Sequence, residues 1–273
     1  MKRVYVYGAF DDIRSRHVRF LQEAAKLGEL NVLLWTDEAM ERLTGKPSMF
    51  PLPERAYFLE SIRFVKGVTS TDALSGANAL PMDMVTTSDA WVVSEPDDNP
   101  LKREFCVSSG MVYVMIPIDN LKGFPSFDNA EEGSCEAQPK VVVTGCYDWL
   151  HTGHIRFFEE ASAYGDLYVV VGHDSNLRRL KGEGHPMFPE EERRYMAQSI
   201  QFVRRALISS GDGWLDAEPE IIRIKPDIYL VNEDGDRTEK REFCDKHGIR
   251  YIVLKRTPKD GLPRRESTQL RGF

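Results

Sequence analysis

The chain says the same thing twice. From Gly8 it reads G-A-F-D-D-I-R-S-R-H-V-R-F-L-Q-E-A-A-K-L-G-E-L, and from Gly145 it reads G-C-Y-D-W-L-H-T-G-H-I-R-F-F-E-E-A-S-A-Y-G-D-L. The offset is 137 between Gly8 and Gly145 and 138 between Arg55 and Arg193, so one residue was gained or lost near Lys46 to Ser48. The match continues from Met49 against Met187, from Asp89 (D-A-W-V-V-S-E) against Asp227 (D-I-Y-L-V-N-E), and in K-R-E-F-C at Lys102 and Lys240. A repeat of this length forces both halves toward one fold. The 273 residues therefore divide into two domains of ordinary size, each able to bury a core. We place them at 1–127 and 140–273, joined by the small, polar and aperiodic stretch 128–139, which has linker composition. Residues shared by both copies predict frame, and residues unique to one copy predict function.

Within the second copy K-V-V-V-T-G is a continuous apolar run ending in glycine, as expected of a strand buried on both faces of a parallel sheet. I-R-F-F-E-E-A-S-A-Y-G has helical spacing, with Gly165 as its expected C-cap. L-Y-V-V-V-G is a second strand, and E-E-E-R-R-Y-M-A-Q-S-I-Q-F-V a second helix with Pro189 near its first turn. D-I-Y-L-V and R-Y-I-V-L supply two more strands. Strands alternating with helices predict an α/β fold, two tandem doubly wound domains with parallel sheets, whose ligands bind at the carboxyl ends of the strands.

No stretch approaches the roughly 18 apolar residues of a membrane helix. Met1-Lys2-Arg3 runs straight into V-Y-V-Y-G and reads as a first strand rather than a secretory leader. A net charge of −7 argues against a general nucleic-acid binder, yet leaves a small phosphorylated ligand compatible. Cys106, Cys135, Cys146 and Cys244 show no C-x-x-C spacing. They read as thiols of a reducing cytoplasm, and no metal site is expected among them.

The chemistry concentrates in His151-Thr152-Gly153-His154, just past the first strand of the second copy and at the opening of its first helix. Helix N-terminal amides favour anions there, and Gly153 removes a side chain where a phosphate approaches the backbone. The first copy keeps the surrounding frame but carries Arg14 and Arg16 in place of His151 and Gly153, and Thr44 in place of Lys181. There is no G-x-x-x-x-G-K-[ST] loop of the kinase or NTPase type.

G-C-Y-D-W-L-H-T-G-H resembles the signature of the nucleotidyltransferase superfamily with the H-x-G-H motif, the cytidylyltransferases in particular. L-K-G-E-G-H-P-M-F-P-E-E-E-R-R-Y-M-A-Q-S-I-Q-F-V is most similar to the ethanolamine-phosphate cytidylyltransferases, which are also tandem duplications. The glycerol-3-phosphate cytidylyltransferases and the adenylyltransferases that make ADP-heptose are similar too. The resemblance implies two Rossmann-like nucleotidyltransferase domains, the first degenerate and inactive, the second catalytic. It implies that His151 and His154 stabilise the α-phosphate in the transition state and that Lys181 contacts phosphates of both substrates. It further implies nucleotide contacts at Gly145, Cys146, Tyr147, Gly153, Arg193, Asn232, Arg256, Ser267 and Thr268. The closing motif departs from the family, because P-K-D-G-L-P-R-R-E separates Arg256-Thr257 from Ser267-Thr268.

From this resemblance the expected activity is transfer of CMP from CTP to a small phosphorylated alcohol, of the ethanolamine-phosphate or polyol-phosphate class, with release of pyrophosphate. Mg²⁺ is expected with the triphosphate, and no tightly bound cofactor. Two alternatives remain open: an ATP-dependent adenylyltransferase on a sugar phosphate, and a non-catalytic nucleotide-binding regulatory protein. Expected partners are CTP or ATP and a small phosphomonoester, with neither nucleic acid nor membrane insertion. The duplication itself predicts an internal pseudo-dimer and is compatible with further homo-oligomers. Arg193 and Asp148 carry a rival structural reading, since Arg55 and Asp11 match them in the first copy.

Overall fold

The computed structural model describes residues 2–126 and 138–270, apart from the side chains of Thr268 and Gln269. The chain divides into two compact units, Met1–Gly123 and Phe124–Phe273. Most of the expected linker, 128–137, lies outside the described residues, as does Cys135.

The first unit runs β1 (Arg3–Gly8), α1 (Ser15–Ala25), β2 (Glu29–Trp35), α2 (Asp37–Thr44), α3 (Leu52–Glu60), β3 (Gly67–Thr71), β4 (Ala90–Ser94), α4 (Pro100–Ser109) and β5 (Val112–Ile116). The second runs β6 (Lys140–Gly145), α5 (Thr152–Ser162), β7 (Asp166–Val171), α6 (Asp174–Lys181), α7 (Glu190–Gln198), β8 (Val203–Ile208), α8 (Glu218–Ile224), β9 (Ile228–Asn232), α9 (Thr238–His247), β10 (Arg250–Leu254) and α10 (Ser267–Leu270). Each unit builds one five-stranded parallel sheet, ordered β3-β2-β1-β4-β5 and β8-β7-β6-β9-β10. The protein is thus α/β with two tandem Rossmann-like domains.

The strands are apolar because both faces are covered. Val142, Val170, Tyr229 and Val231 pack with Ile221, Ile224, Phe243 and Cys244 of α8 and α9. Val141, Val143, Ile155 and Phe158 are fully buried, with α5 lying on β6 and β7. Cys244 and its counterpart Cys106 are free, buried core thiols, which burial pushes up to about 11. Among the described residues no helix is long and apolar enough to cross a membrane.

Two shared features are frame. Gly165 is not the α5 cap, which is Ala163. Instead the turn passes so near the incoming strand that a Cβ on Gly165 would sit 1.9 Å from the Pro139 carbonyl oxygen, and one on Gly28 2.2 Å from that of Lys2. The aromatic residue after each first strand is left-handed, with φ of +46° at Phe10 and +51° at Tyr147. That conformation is strained for a non-glycine residue, and it delivers Asp11 and Asp148 to the same task. Asp11 accepts from the amides of Met49 and Phe50, both at 2.8 Å. Asp148 accepts from Met187 and Phe188 at 2.7 and 3.0 Å.

Candidate active site

In the second sheet the chain reverses its winding direction between β6 and β9, which opens a crevice at their carboxyl ends. A cavity of about 630 Å³ sits there, bounded by the loop after β6, the first turn of α5, α6 and the loops after β8 and β9.

His151 is the N-cap of α5, and its Nδ1 accepts from the Gly153 amide at 3.1 Å. In the neutral ring this leaves the proton on Nε2, which is buried and has no hydrogen-bond partner among the described residues. His154, one turn on, stacks against His151 with centroids 3.9 Å apart and planes at 26°. Its Nδ1 is likewise buried and without a partner. Burial holds the His151 ring well below its ordinary pKa, helped by the charges of His154, Arg256 and Arg265. Burial first, then Arg256 and Lys181, brings His154 down to about 3, against a hydrogen bond to the Trp149 backbone that favours its charged form. Both rings are therefore neutral at physiological pH, amid fixed positive charge. A polyanion entering the cavity reverses that balance.

Gly153 has a different reason from the one expected. A Cβ there would lie 2.9 Å from Cε1 of His151, so the glycine makes room for the histidine ring. Gly145 is similar, since a Cβ would meet the Tyr147 ring at 2.7 Å. That ring packs edge-on against His154 at 5.3 Å, and its hydroxyl is buried without a partner.

Gly145, Cys146, Tyr147, Gly153, His154, Lys181, Asn232, Arg256 and Ser267 all line this one cavity. His151 is not part of that lining; it is 2% exposed and stacks on His154, which is. Arg256 is held by Asp234 at 2.9 Å and by the Arg265 carbonyl at 2.9 Å. Asn232 presents a buried Oδ1 without a partner. Ser267 opens the short α10 and donates to the Trp149 carbonyl at 3.5 Å. The Thr268 side chain lies outside the described residues.

Arg193 is not brought to the cavity. Its guanidinium is 1% exposed and donates to the carbonyls of Phe188, Cys146 and Gly172 and to Asp174, all at 2.7–2.8 Å. Arg55 repeats the pattern with Phe50, Ala9, Trp35 and Asp37. The arginine ties together the loops that carry the site. His173 caps α6 and bonds Gly211 at 2.7 Å, whereas His185 lines the cavity. Sequence reading missed Trp214, Arg237 and Lys240, which come from the loops after β8 and β9 and from α9. It also missed Arg265, whose charge reaches His151. K-R-E-F-C, shared by both copies, was the one available pointer to Lys240.

The cytidylyltransferase-like family model matches residues 142–266, within this unit. The FAD synthase of Aciduliprofundum boonei is 38% identical over 119 residues, 42% of this chain and 76% of that protein. The FAD synthase of Methanocella paludicola is 32% identical over 135 residues, 48% of this chain and 93% of that one. The chain belongs to the cytidylyltransferase-like nucleotidyltransferases. A further relative is the bifunctional protein HldE of Methylococcus capsulatus, 39% identical over 95 residues, 34% of this chain and 20% of that one.

These relatives correct the expected reaction. FAD synthases are named for a dinucleotide whose nucleotide half is adenylate, and they overturn the reading as a CTP-using ethanolamine-phosphate cytidylyltransferase. The physical reason is plain. The H-x-G-H motif and the lysine, on which the resemblance rested, are common to superfamily members that use different nucleotides, so they carry no information about the base. The protein remains a nucleotidyltransferase.

The first unit has a different interior at the equivalent place. Tyr7, Trp35 and Trp91 stand where the second unit has Thr144, Gly172 and Tyr229, and Tyr7 packs edge-on against both tryptophans at 5.4 and 6.0 Å. His17 reaches back to the Arg14 amide through Nδ1 at 3.0 Å, and the Tyr7 hydroxyl donates to the Gly76 carbonyl at 2.9 Å.

Proposed function

We propose that the second unit transfers the adenylyl group of ATP to a phosphomonoester and releases pyrophosphate. The observation that carries this is the His151–His154 pair, two stacked rings each with an unpartnered nitrogen at the head of α5, in the stretch matched by the family model. The FAD synthase relatives favour adenylate as the group moved.

A phosphomonoester oxygen is already anionic at neutral pH and needs no strong general base. It forms a bond to the α-phosphorus as the bond to the β-phosphate oxygen breaks, and the electron pair leaves with pyrophosphate. The protein's task is to align the reactants and stabilise charge on the α-phosphate. His151 donates from Nε2 in its neutral form. His154 donates from Nδ1 once the triphosphate has raised its pKa and it has taken up a proton. Lys181 and Arg256 meet the remaining phosphate charge, and Mg²⁺ accompanies ATP as part of the substrate. Arg193 acts at one remove, as a positioning residue.

On this reading residues 140–273 form the catalytic domain and 1–127 a non-catalytic one. Tyr7, Trp35 and Trp91 in the space of a cavity, and Arg14, Arg16 and Thr44 in the places of His151, Gly153 and Lys181, support that division. The deciding experiment is pyrophosphate release from ATP or CTP, with FMN, a hexose 1-phosphate and phosphoethanolamine as acceptors. Turnover with ATP and an acceptor of the first two kinds is expected. Preference for CTP, or no turnover with any pair, would overturn the reading.

A further inference from the structure

The phosphoryl chemistry leaves one charged group on the cavity floor unused. Lys240 of α9 is 9% exposed and shares the cavity lining with Gly172, Trp214 and Asp216. Its ammonium reaches the Gly235 carbonyl at 3.3 Å and the Thr144 hydroxyl at 3.5 Å, both long for such a donor. It also lies 5.6 Å from the centre of the Tyr229 ring. Among the described residues it forms no ion pair, for the neighbouring acids are engaged elsewhere. Asp234 holds Arg256, Asp236 holds Arg241, and Asp216 accepts from Ser209 at 2.7 Å.

The first unit provides the control. Lys102 occupies the same position on α4, but its ammonium donates to the Asp97 carbonyl at 2.8 Å and faces the Trp91 ring at 5.7 Å. There the lysine has a short bond and aromatic walls. In the second unit the same lysine has two long bonds and the cavity before it. Burying an ammonium without a directly bonded anion carries a desolvation penalty, and burial accordingly lowers the pKa of Lys240, with Arg237 adding to the effect and the more distant Asp216, Asp234 and Asp236 opposing it. Such a group is retained against its own solvation when a ligand supplies the missing oxygen.

We infer that Lys240 binds the acceptor, taking a carbonyl, hydroxyl or carboxylate oxygen at the end remote from the attacking phosphate. This rests on the adenylyltransferase reading and names its substrate class: an oxygen-rich acceptor without a cationic head. The lining agrees, because Lys181, Arg237, Lys240 and Arg256 surround the same space, while its aspartates, Asp148, Asp216 and Asp234, are bonded to the Met187 and Phe188 amides, to Ser209 and to Arg256. The Arg237 guanidinium stacks on the Trp214 indole at 5.1 Å, so the aromatic surface that would attract an amine already holds a cation.

The test uses the full chain with MgATP and either FMN or a hexose 1-phosphate, comparing wild type with Lys240→Met, Lys240→Gln and Lys240→Arg. The Met and Gln variants are expected to raise the acceptor KM by at least ~10-fold, the loss of one charge-assisted hydrogen bond. Their KM for ATP should stay within about twofold, as for an uncoupled site. Melting temperature should hold or rise, because a buried charge is gone, and the Arg variant should recover part of the acceptor affinity. The acceptor that wild type uses distinguishes flavin carbonyl from sugar hydroxyl. An unchanged acceptor KM overturns the inference. So does a parallel rise in both KM values with a lower melting temperature, loss of fold in both neutral variants, or wild-type turnover of phosphoethanolamine. Absence of transfer from ATP to either acceptor by wild type overturns the adenylyltransferase reading itself, and the inference with it.

Discussion

The imidazoles of His151 and His154 stack at 3.9 Å, and each holds one buried ring nitrogen, Nε2 and Nδ1 respectively, without a partner among the described residues. Two adjacent orphaned polar atoms in a buried setting are rare, because each forfeits a hydrogen bond available in water. Under the proposed function, their placement at the head of α5, where the charges of Arg256 and Lys181 reach His154, gives that loss a purpose in stabilising a phosphate in transit.

Replacing His154 by Ala should lower kcat by at least ~100-fold, the usual consequence of removing one transition-state donor. Steady-state pyrophosphate release measures it, and near-normal turnover would remove His154 from the mechanism.

Acid should weaken the fold through the same rings. An unfolded histidine protonates near its ordinary value of about 6.5, whereas His154 resists protonation down to about 3 and His151 is also depressed. Between those values the unfolded state binds more protons, so stability falls as pH drops below ~6.5, by up to about 1.4 kcal/mol per pH unit for each ring. His17 adds a similar slope from the first unit, lowered to about 4. Denaturation from pH 7 to 5 should show a shallower slope in a His151→Asn/His154→Asn variant. ATP binding near pH 6.5 should be accompanied by proton uptake, seen by calorimetry in buffers of different ionisation enthalpy.

Gly153→Ala separates site from stability. Alanine is favoured over glycine in a helix by about 1 kcal/mol, yet its Cβ meets the His151 ring at 2.9 Å. The expected result is a melting temperature at or near that of wild type and a kcat at least ~10-fold lower from the displaced ring. Full activity would mean that His151 need not cap α5.

Arg193→Ala strands Asp174 and three carbonyls in the interior and should destabilise by about 3–5 kcal/mol, as for a broken buried ion pair. Arg55→Ala should do the same to the first unit. Chemical denaturation measures both, and a change under about 1 kcal/mol would contradict the clamp role.

Arg14→Ala and His17→Ala should leave turnover within about threefold, since the proposed function gives the first unit no part in the chemistry and substitutions outside a site shift free energies by only ~0.5 kcal/mol. Loss of turnover in a folded variant would give the first unit a direct part in catalysis.

Much of the molecule was legible in advance. The apolar runs at Lys140 and Asp166 read as buried parallel strands because parallel strands are covered on both faces. The contrast between His151 and Arg14, and between Gly153 and Arg16, singled out two residues that the structure places together at the head of α5. The shared Arg55 and Arg193 carried their structural reading in the repeat, and the guanidinium of each is engaged by backbone carbonyls. What escaped was whatever depended on segments meeting through space. Trp214 and Arg237 stand 23 positions apart, in loops after different strands, and their stacking has no periodicity to betray it. Lys240 looked like frame because Lys102 matches it, and only the side chains around each show that one is satisfied and the other is not.

The sequence by itself determined the duplication, the alternation of strand and helix, and which copy keeps the H-x-G-H motif, since these are written in local pattern and in the comparison of one half with the other. Tertiary structure alone decided that Gly153 accommodates a histidine ring, that Arg193 turns inward, and that a lysine common to both halves lines a cavity in the second while it bonds the Asp97 carbonyl beside Trp91 in the first. Those outcomes depend on the side chains opposite, Thr144 and Gly172 in one sheet and Tyr7 and Trp35 in the other. Whether such groups meet is set by strand order and crossover, at distances along the chain that no local pattern spans.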